Sequence, residues 1–330
     1  EFEKDIIENL KWLGIIWDEG PSAIAQEQKY IGEHGPYRQS ERLDIYKEHI
    51  NKLLKEGKAY YCFCSEEELE AQRQYQMSQG EAPRYSGKCA NLPKETVKKY
   101  LKEDSPSVIR FRTPAEKVSF NDLIRGNLEF DASLIGDTVI AKNIAAPLYN
   151  FVVVVDDFTM EISHVIRGED HISNTPKQIL IQEALGFPRP EYGHLPLILG
   201  PDRTKLSKRH GSFAVADFRQ EGYLPEAIIN YMAFLGWNPG DEKEIYSLPS
   251  LVKEFSLEKV QKGGAIFNIK KLESLNGFYI RQRSLEKITE MCLPYLVNAG
   301  FVEENKADAE NIKKIVSIYR ERLKKISEIV

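Results

Sequence analysis

Phe151-Val152-Val153-Val154-Val155 is apolar at every position and mostly β-branched, and no other stretch constrains the fold as much. A strand buried on both faces of a parallel sheet has this composition, so we expect a strand here, stopped by Asp156 and Asp157. A second strand is expected over Ile162 to Ile166. A helix should follow from Thr175 as N-cap, with Pro176 in its first turn and Gln178 completing a capping box, and run to Gly186. The apolar run His194 to Leu199 is expected as a third strand. Strand, helix and strand at this spacing make a parallel crossover unit. The fold class is therefore α/β, with Arg167-Gly168-Glu169-Asp170-His171 at a strand's carboxyl end, where open sheets of this kind bind ligands.

The last strand delivers Gly200 to Ser212, GPDRTKLSKRHGS. Lys205 and Lys208, three apart in a loop bounded by Gly and Pro, put mobile point charges where a polyphosphate could be met. A solvated surface loop has the same composition. Arg167 is open to two readings as well, a structural ion-pair partner or a ligand contact, and His171 alone could be a capping or core histidine.

Upstream, Asp5 to Leu13 reads as a helix ended by Gly14, and a second helix carries Leu43, Tyr46, Ile50, Leu53 and Leu54 to Gly57. The pattern then changes to Tyr60-Tyr61-Cys62-Phe63-Cys64, followed by Ser65 and Glu68 at capping-box spacing. Short alternating runs follow, Val108 to Arg112 and Leu128 to Phe130, with a turn at Arg125-Gly126-Asn127. We read 61–145 as a small α+β module inserted in a larger α/β domain. Downstream the chain turns helical, over Leu224 to Leu235, Leu251 to Val260, Ile269 to Asn276, Leu285 to Ala299, and Ala307 to the end. That last segment is basic and amphipathic, which suits a solvated face or a nucleic-acid contact.

Lysine and arginine number 45 against 50 acidic residues, for a net charge of −5, so a polyanionic partner must be met by a local patch. Apolar runs fall far short of the ~20 residues that a membrane-spanning helix requires. Cys62, Cys64 and Cys89, clustered in sequence, fit a reducing compartment and either a metal site or unmetallated thiols. Cys292 sits in a helical pattern and is expected in a core.

Tyr149-Asn150-Phe151 with Val154 to Asp157, Val165 to Pro176, Leu195-Pro196-Leu197 and Lys205-Leu206-Ser207-Lys208-Arg209 together resemble the class I glutamyl-tRNA synthetases in wording, order and spacing. Gly35-Pro36-Tyr37-Arg38-Gln39-Ser40-Glu41-Arg42, Leu224 to Tyr231 and Leu235-Gly236-Trp237 extend the resemblance across essentially all 330 residues. It implies a Rossmann-like parallel sheet with an inserted acceptor-end domain and a helical C-terminal region. The divisions implied are 1–60 and 146–212 for the catalytic domain, 61–145 for the insert, 213–280 for a stem-contact region and 281–330 for the start of an anticodon-binding region. It also implies activation of glutamate by ATP, as its Mg²⁺ complex, to glutamyl-adenylate, then transfer to the terminal ribose of tRNA(Glu), by a cytoplasmic monomer with no membrane association.

By the same resemblance, Lys205 and Lys208 belong to the "KMSKS" signature and are the catalytic residues, with Leu206 in place of Met and Arg209 in place of the last Ser. Asp170, His171, Ile198, Lys205 and Lys208 would contact ATP. Tyr149, Val153, Arg167 and Asp170 would form the glutamate site, with Arg167 pairing bidentately with the side-chain carboxylate and Val153 standing where some relatives place Asn. Cys62, Cys64, Tyr85 and Cys89 resemble a zinc knuckle, with Asn91 where some relatives have His and Tyr85 or water as fourth ligand. The family's first strand and "HIGH" signature should precede Glu1, so the sequence is expected to be a fragment, inactive alone. Two alternatives share much of this wording: a glutamyl-queuosine tRNA(Asp) synthetase paralogue, which would end soon after the catalytic domain, and a non-catalytic tRNA-binding relative.

Overall fold

The computed structural model describes residues 2–330 apart from 23–28, 208, 210, 212, 241 and 304–307. The chain forms two compact units, one of Asp18–Leu195 and one of Glu1–Trp17 with Pro196–Val330.

The unit of Asp18–Leu195 opens on a short antiparallel pair, β1 (Gly20–Pro21) with β2 (Tyr30–Ile31), and the helix α2 (Leu43–Lys55). Gly57, at φ 71°, ends that helix as expected. Strand β3 (Ala59–Cys62) joins β4 (Val108–Phe111), β7 (Val139–Asn143) and β8 (Ala146–Pro147) in an antiparallel sheet. Between β3 and β4 lie helices α3 (Glu66–Ser78) and α4 (Lys94–Lys102). The expected box at α3 is present: the Ser65 hydroxyl accepts the Glu68 N–H and the Glu68 carboxylate accepts the Ser65 N–H.

A second, mixed sheet runs β6-β5-β10-β9. Its hairpin, β5 (Lys117–Asp122) with β6 (Gly126–Asp131), comes from the middle of the 61–145 stretch and meets β10 (Glu191–Leu195) in parallel at Asp122 and Tyr192. Beyond β10 lies β9 (His164–Gly168), parallel to it, with helix α6 (Thr175–Leu185) as the crossover. The crossover unit expected from the sequence is therefore present.

The valine run, however, is not a strand. Tyr149–Thr159 forms helix α5, in which Phe151, Val152, Val154 and Val155 are buried and Val153 is not fully so. Burial at i, i+1, i+3 and i+4 is a helical face. The β-branched residues each cost about 0.5 kcal/mol in a helix, whereas burying each contributes about 1.5–3 kcal/mol, so packing overrides propensity. They pack with Tyr46, Ile50 and Leu53 of α2 and Ile179 to Ile181 of α6 in one core. Asp156 and Asp157 do not stop the segment either. Asp156 lies within α5 and accepts from the buried Arg42 (Nε to Oδ1, 2.7 Å), the Tyr46 hydroxyl (2.7 Å) and Gln39 (3.3 Å). Arg42 also donates to the Pro36 carbonyl (2.8 Å) and to Thr159.

Two further expectations are corrected. Helix α6 is entered at Asn174 with no side-chain cap; Thr175 and Gln178 instead turn their side chains toward Arg167. The run His194 to Leu199 is not one strand, because Pro196 has no N–H to give a ladder. Leu195 ends β10, while Ile198–Leu199 forms β11, which belongs with its parallel partner β12 (Ala265–Ile266) to the unit of Glu1–Trp17 and Pro196–Val330.

That other unit, Glu1–Trp17 with Pro196–Val330, is mainly helical: α1 (Phe2–Leu13), α7 (Val215–Gln220), α8 (Pro225–Ala233), α9 (Leu248–Glu254), α10 (Ile269–Gln282), α11 (Leu285–Asn298) and α12 (Ala309–Tyr319). Buried amides fix its connections. The Asn276 side chain accepts the Leu224 N–H (2.7 Å) and donates to the Lys324 carbonyl (2.6 Å). The Asn230 side chain donates to the Glu244 carbonyl and accepts from Tyr279 and the Tyr246 N–H. Cys292 lies in a core with Ile288 and Leu296, as expected. The last helix stops at Tyr319 rather than running to Val330, and Ile326–Ile329 makes a separate 3₁₀ turn.

Candidate active site

Arg167 is the last but one residue of β9, whose side chains alternate between exposed and half-buried up to it, and after Gly168 the chain turns at once into a 3₁₀ helix, Glu169–His171. Gly168 leaves room at that corner for the Asp170 side chain: a Cβ there would lie 2.6 Å from Asp170 Oδ1 and push that carboxylate aside. Asp170 and His171 are thereby set beside the strand end. Tyr149 and Val153, four apart on α5, share one helix face. The Tyr149 hydroxyl is 3.3 Å from His171 Nδ1, and the two rings lie 5.6 Å apart. The correction of strand to helix thus puts Tyr149 and Val153 on one side, which a strand would also have done, but spaced by a helical turn.

Arg167 is held by three neutral acceptors. Its Nε donates to His194 Nε2 (3.2 Å), and its Nη2 donates to Thr175 Oγ1 (2.9 Å) and Gln178 Oε1 (2.7 Å). Among the described residues it makes no carboxylate ion pair, and Nη1 has no hydrogen-bond partner. Gln178 is oriented in turn by Asn150 (3.0 Å), and Thr175 Oγ1 also lies 3.1 Å from the His171 carbonyl. The structural ion-pair reading of Arg167 therefore has no partner within contact distance among the described residues, although Asp157 attracts it from farther off. A side-on fork through Nε and Nη2 would displace all three bonds, so the bidentate pairing expected from the sequence has to draw on Nη1, the end left for a ligand.

Behind Arg167 lies a fully buried pair. Asp122, the last residue of β5, accepts from His194 Nδ1 (2.6 Å), from the His194 N–H (3.1 Å) and from the N–H groups of Ile124 (3.0 Å) and Arg125 (2.8 Å). Burial pushes the Asp122 carboxyl up, but these donors outweigh it and hold the group below its ordinary value. Burial, opposed by Asp122, holds His194 below the usual histidine range. A neutral imidazole that donates from Nδ1 has a lone pair at Nε2, which is what the Arg167 N–H requires.

The lysine loop lies in the other unit. Lys205 bridges to Leu199, Leu206 N–H donates to the Ile198 carbonyl (2.9 Å) and Gly200 N–H to the Thr204 carbonyl (2.8 Å), so Ile198 and Lys205 sit in one tight hairpin. Asp202 and Arg209 both bond the Thr204 hydroxyl across the turn. Lys208 lies outside the described residues.

Cys62, Cys64 and Cys89 bring their sulfurs within 4.8 Å of one another. The Tyr85 hydroxyl is 3.3 Å from Cys62 Sγ and 3.6 Å from Cys64 Sγ, and it accepts the Cys89 N–H (2.9 Å). Burial raises the Cys62 thiol, but hydrogen bonds from Tyr85, the Cys64 backbone and Arg110 bring it below its ordinary value; burial drives Cys64 up to about 11. Sulfurs of tetrahedral zinc lie roughly 3.8 Å apart at ordinary Zn–S lengths, close to the 3.6 Å between Cys64 and Cys89. The donor set fits a structural zinc ion.

A family model described as "tRNA synthetases class I (E and Q), catalytic domain" matches residues 1–274. The chain is 51% identical to a glutamate–tRNA ligase of Carboxydothermus hydrogenoformans, over the whole of this chain and 68% of that protein. It is 50% identical to glutamate–tRNA ligase 1 of Caldicellulosiruptor saccharolyticus, over the whole of this chain and 67% of that protein. The chain belongs to the glutamate–tRNA ligases. A crystal structure of the glutamate–tRNA ligase from Elizabethkingia meningosepticum in complex with its amino acid superposes with a TM-score of 0.86 at 38% identity, covering 99% of this chain and 68% of that one. The Elizabethkingia anophelis enzyme superposes at 0.87.

In this ligase the sequence pointed to Tyr149, Val153, Arg167, Asp170 and His171, which the fold places on α5 and at the end of β9. It did not point to Asp122, Thr175, Gln178 or His194. His194 opens an apolar run, an unusual place for a histidine, and that is the one signal it carries. Nothing in spacing joins it to Asp122, which precedes it by four strands, β6 to β9, and the helices α5 and α6.

Proposed function

We propose that the protein activates L-glutamate with ATP to glutamyl-adenylate and transfers the acyl group to the terminal ribose of tRNA(Glu), acting as a cytoplasmic monomer. Arg167, charged, hydrogen-bonded only to neutral acceptors and with Nη1 free among the described residues, carries this reading. A guanidinium prepared in this way suits an anionic ligand group, here the glutamate side-chain carboxylate. Tyr149 and Val153 would wall the same site, and Asp170 would meet the substrate amine. His171 and Ile198 would contact the adenosine.

Lys205 and Lys208 would meet the charge that spreads over the departing pyrophosphate during in-line attack on the α-phosphorus. ATP would enter as its Mg²⁺ complex. Zinc, held by Cys62, Cys64, Cys89 and Tyr85, would supply structure rather than chemistry, tying the end of β3 to the segment after α3. The 61–145 stretch would meet the acceptor end of the tRNA, 213–280 its stem, and 281–330 would begin the anticodon-reading region.

The test is ATP–pyrophosphate exchange by the full-length protein. Arg167→Ala should raise the KM for glutamate by roughly 100-fold with little change in the KM for ATP, the loss expected of a charge-assisted bond at a partly buried site. A glutamate KM within twofold of wild type would overturn the assignment. Lys208→Ala should lower kcat far more than glutamate affinity; an unchanged exchange rate would remove that lysine from the chemistry.

A further inference from the structure

We propose that Asp122 and His194 are positioning residues for glutamate recognition, holding Arg167 in place through a neutral acceptor so that its charge stays available to the substrate carboxylate. The inference rests on the assignment of Arg167 to the glutamate side chain. Both groups are buried, with His194 at 0% and Asp122 at 1% exposure; His194 bonds Arg167 directly, and Asp122 acts on it only through His194. A buried aspartate and a buried histidine together are costly unless something requires them, because each must be fully hydrogen-bonded to be tolerated.

The order of the chain explains the arrangement. Were Asp122 itself against Arg167, the two would form an internal ion pair, and an incoming carboxylate would compete with a resident one. With the imidazole between them, Asp122 fixes the tautomer and ring orientation, and His194 passes on a lone pair but no charge. The backbone makes the geometry firm. Asp122 and Tyr192 are register partners between β5 and β10, and Arg167 and His194 are register partners between β9 and β10, so one sheet carries all three groups. The charged groups facing this pair are Arg167 from β9 and Arg125 from the β5–β6 turn, whose Nε is 3.4 Å from the His194 carbonyl and whose guanidinium pairs with Glu169. Thr175 and Gln178, from α6, occupy Nη2 of Arg167, and the Thr175 hydroxyl also lies 3.1 Å from His194 Nε2. A long, flexible side chain is thereby ordered before the ligand arrives, which lowers the entropy lost on binding.

Three substitutions separate the parts of the chain. His194→Asn keeps a donor toward Asp122 and withdraws the acceptor from Arg167. His194→Gln keeps an acceptor at the ε position. Asp122→Asn removes the carboxylate that requires a proton at Nδ1 and so lets the ring carry it at Nε2, pointing at the Arg167 N–H. In ATP–pyrophosphate exchange by the full-length protein, His194→Asn and Asp122→Asn should raise the KM for glutamate about tenfold while the KM for ATP stays within twofold, and His194→Gln should stay within about threefold for both. Equal effects of His194→Asn and His194→Gln, or parallel rises in both KM values, would overturn the inference and leave the pair a structural one. If Arg167→Ala in the same assay leaves glutamate KM unchanged, the assignment of Arg167 is what fails. Should the variants not fold, nitrogen NMR of the wild-type imidazoles decides: a ring protonated at Nδ1 and bare at Nε2 supports the proposal, and a proton at Nε2 refutes it.

Discussion

Replacing Arg42 by methionine should unfold the unit of Asp18–Leu195 at a markedly lower temperature. Methionine keeps most of the apolar stem, so the change isolates the guanidinium. Arg42 is 1% exposed and Asp156 is 13% exposed, and removing one member of such a pair costs about 3–5 kcal/mol because the other charge is left buried. Asp156 would retain the Tyr46 hydroxyl and Gln39, which argues for the lower end of that range. The Pro36 carbonyl would lose its Arg42 donor, adding roughly 1 kcal/mol. The expected loss is about 4 kcal/mol, or roughly 8–16 °C in Tm for a unit of this size. Urea and thermal unfolding of Arg42→Met, Asp156→Asn and the double variant complete a cycle. A coupling of about 2 kcal/mol or more is expected between the two sites. A loss under about 1 kcal/mol, or strictly additive effects, would refute the view that this pair anchors α5.

Other outcomes are equally direct. Burial pushes Asp157 up to about 6, against the pull of Arg167, so the folded state binds a proton more tightly than the unfolded chain does; stability must fall as pH rises from about 4 to about 6, and Asp157→Asn should add about 2 kcal/mol at pH 8 and almost nothing at pH 4. A denaturation series across that range that shows no growing advantage would contradict it. Gly222 has φ 86° and an added Cβ would sit 2.7 Å from the Ser327 nitrogen and 2.9 Å from that of Ile326, so Gly222→Ala should destabilise the unit of Glu1–Trp17 with Pro196–Val330 by about 2–4 kcal/mol in chemical denaturation. Metal analysis of the purified protein should find about one zinc per chain, and strong chelation should lower Tm; metal-free protein with unchanged Tm would assign Cys62, Cys64 and Cys89 to packing alone.

Local signals were legible wherever the deciding interaction is itself local. Ser65 and Glu68 are one helical turn apart, and the box they form needs nothing else. Gly14, Gly57 and Gly186 stop helices through their own backbone freedom, with φ near 70–77°. A strand, helix and strand in this region followed from spacing, because a parallel crossover tolerates few alternatives, but the strands lie at His164–Gly168 and Glu191–Leu195 rather than over Ile162 to Ile166 and His194 to Leu199. That Cys62, Cys64 and Cys89 come together was also readable, since they lie close in sequence, and their sulfurs do converge. The valine run was misread because a buried helix and a doubly buried strand present the same composition; only the neighbours decide which backbone buries it.

What the sequence determined by itself, then, is the family, a crossover in the region of β9 and β10, and the identity of the candidate ligand contacts proposed above: Tyr149, Arg167, Asp170 and His171 stand in motifs with fixed order. What tertiary structure alone decided is how those groups are held. Asp122, Thr175, Gln178 and His194 arrive from β5, α6 and β10, and Arg42 reaches Asp156 from the residue just before α2. Hydrogen bonds between residues so far apart in the chain leave no period and no spacing, because only the sheet register brings them within reach of one another.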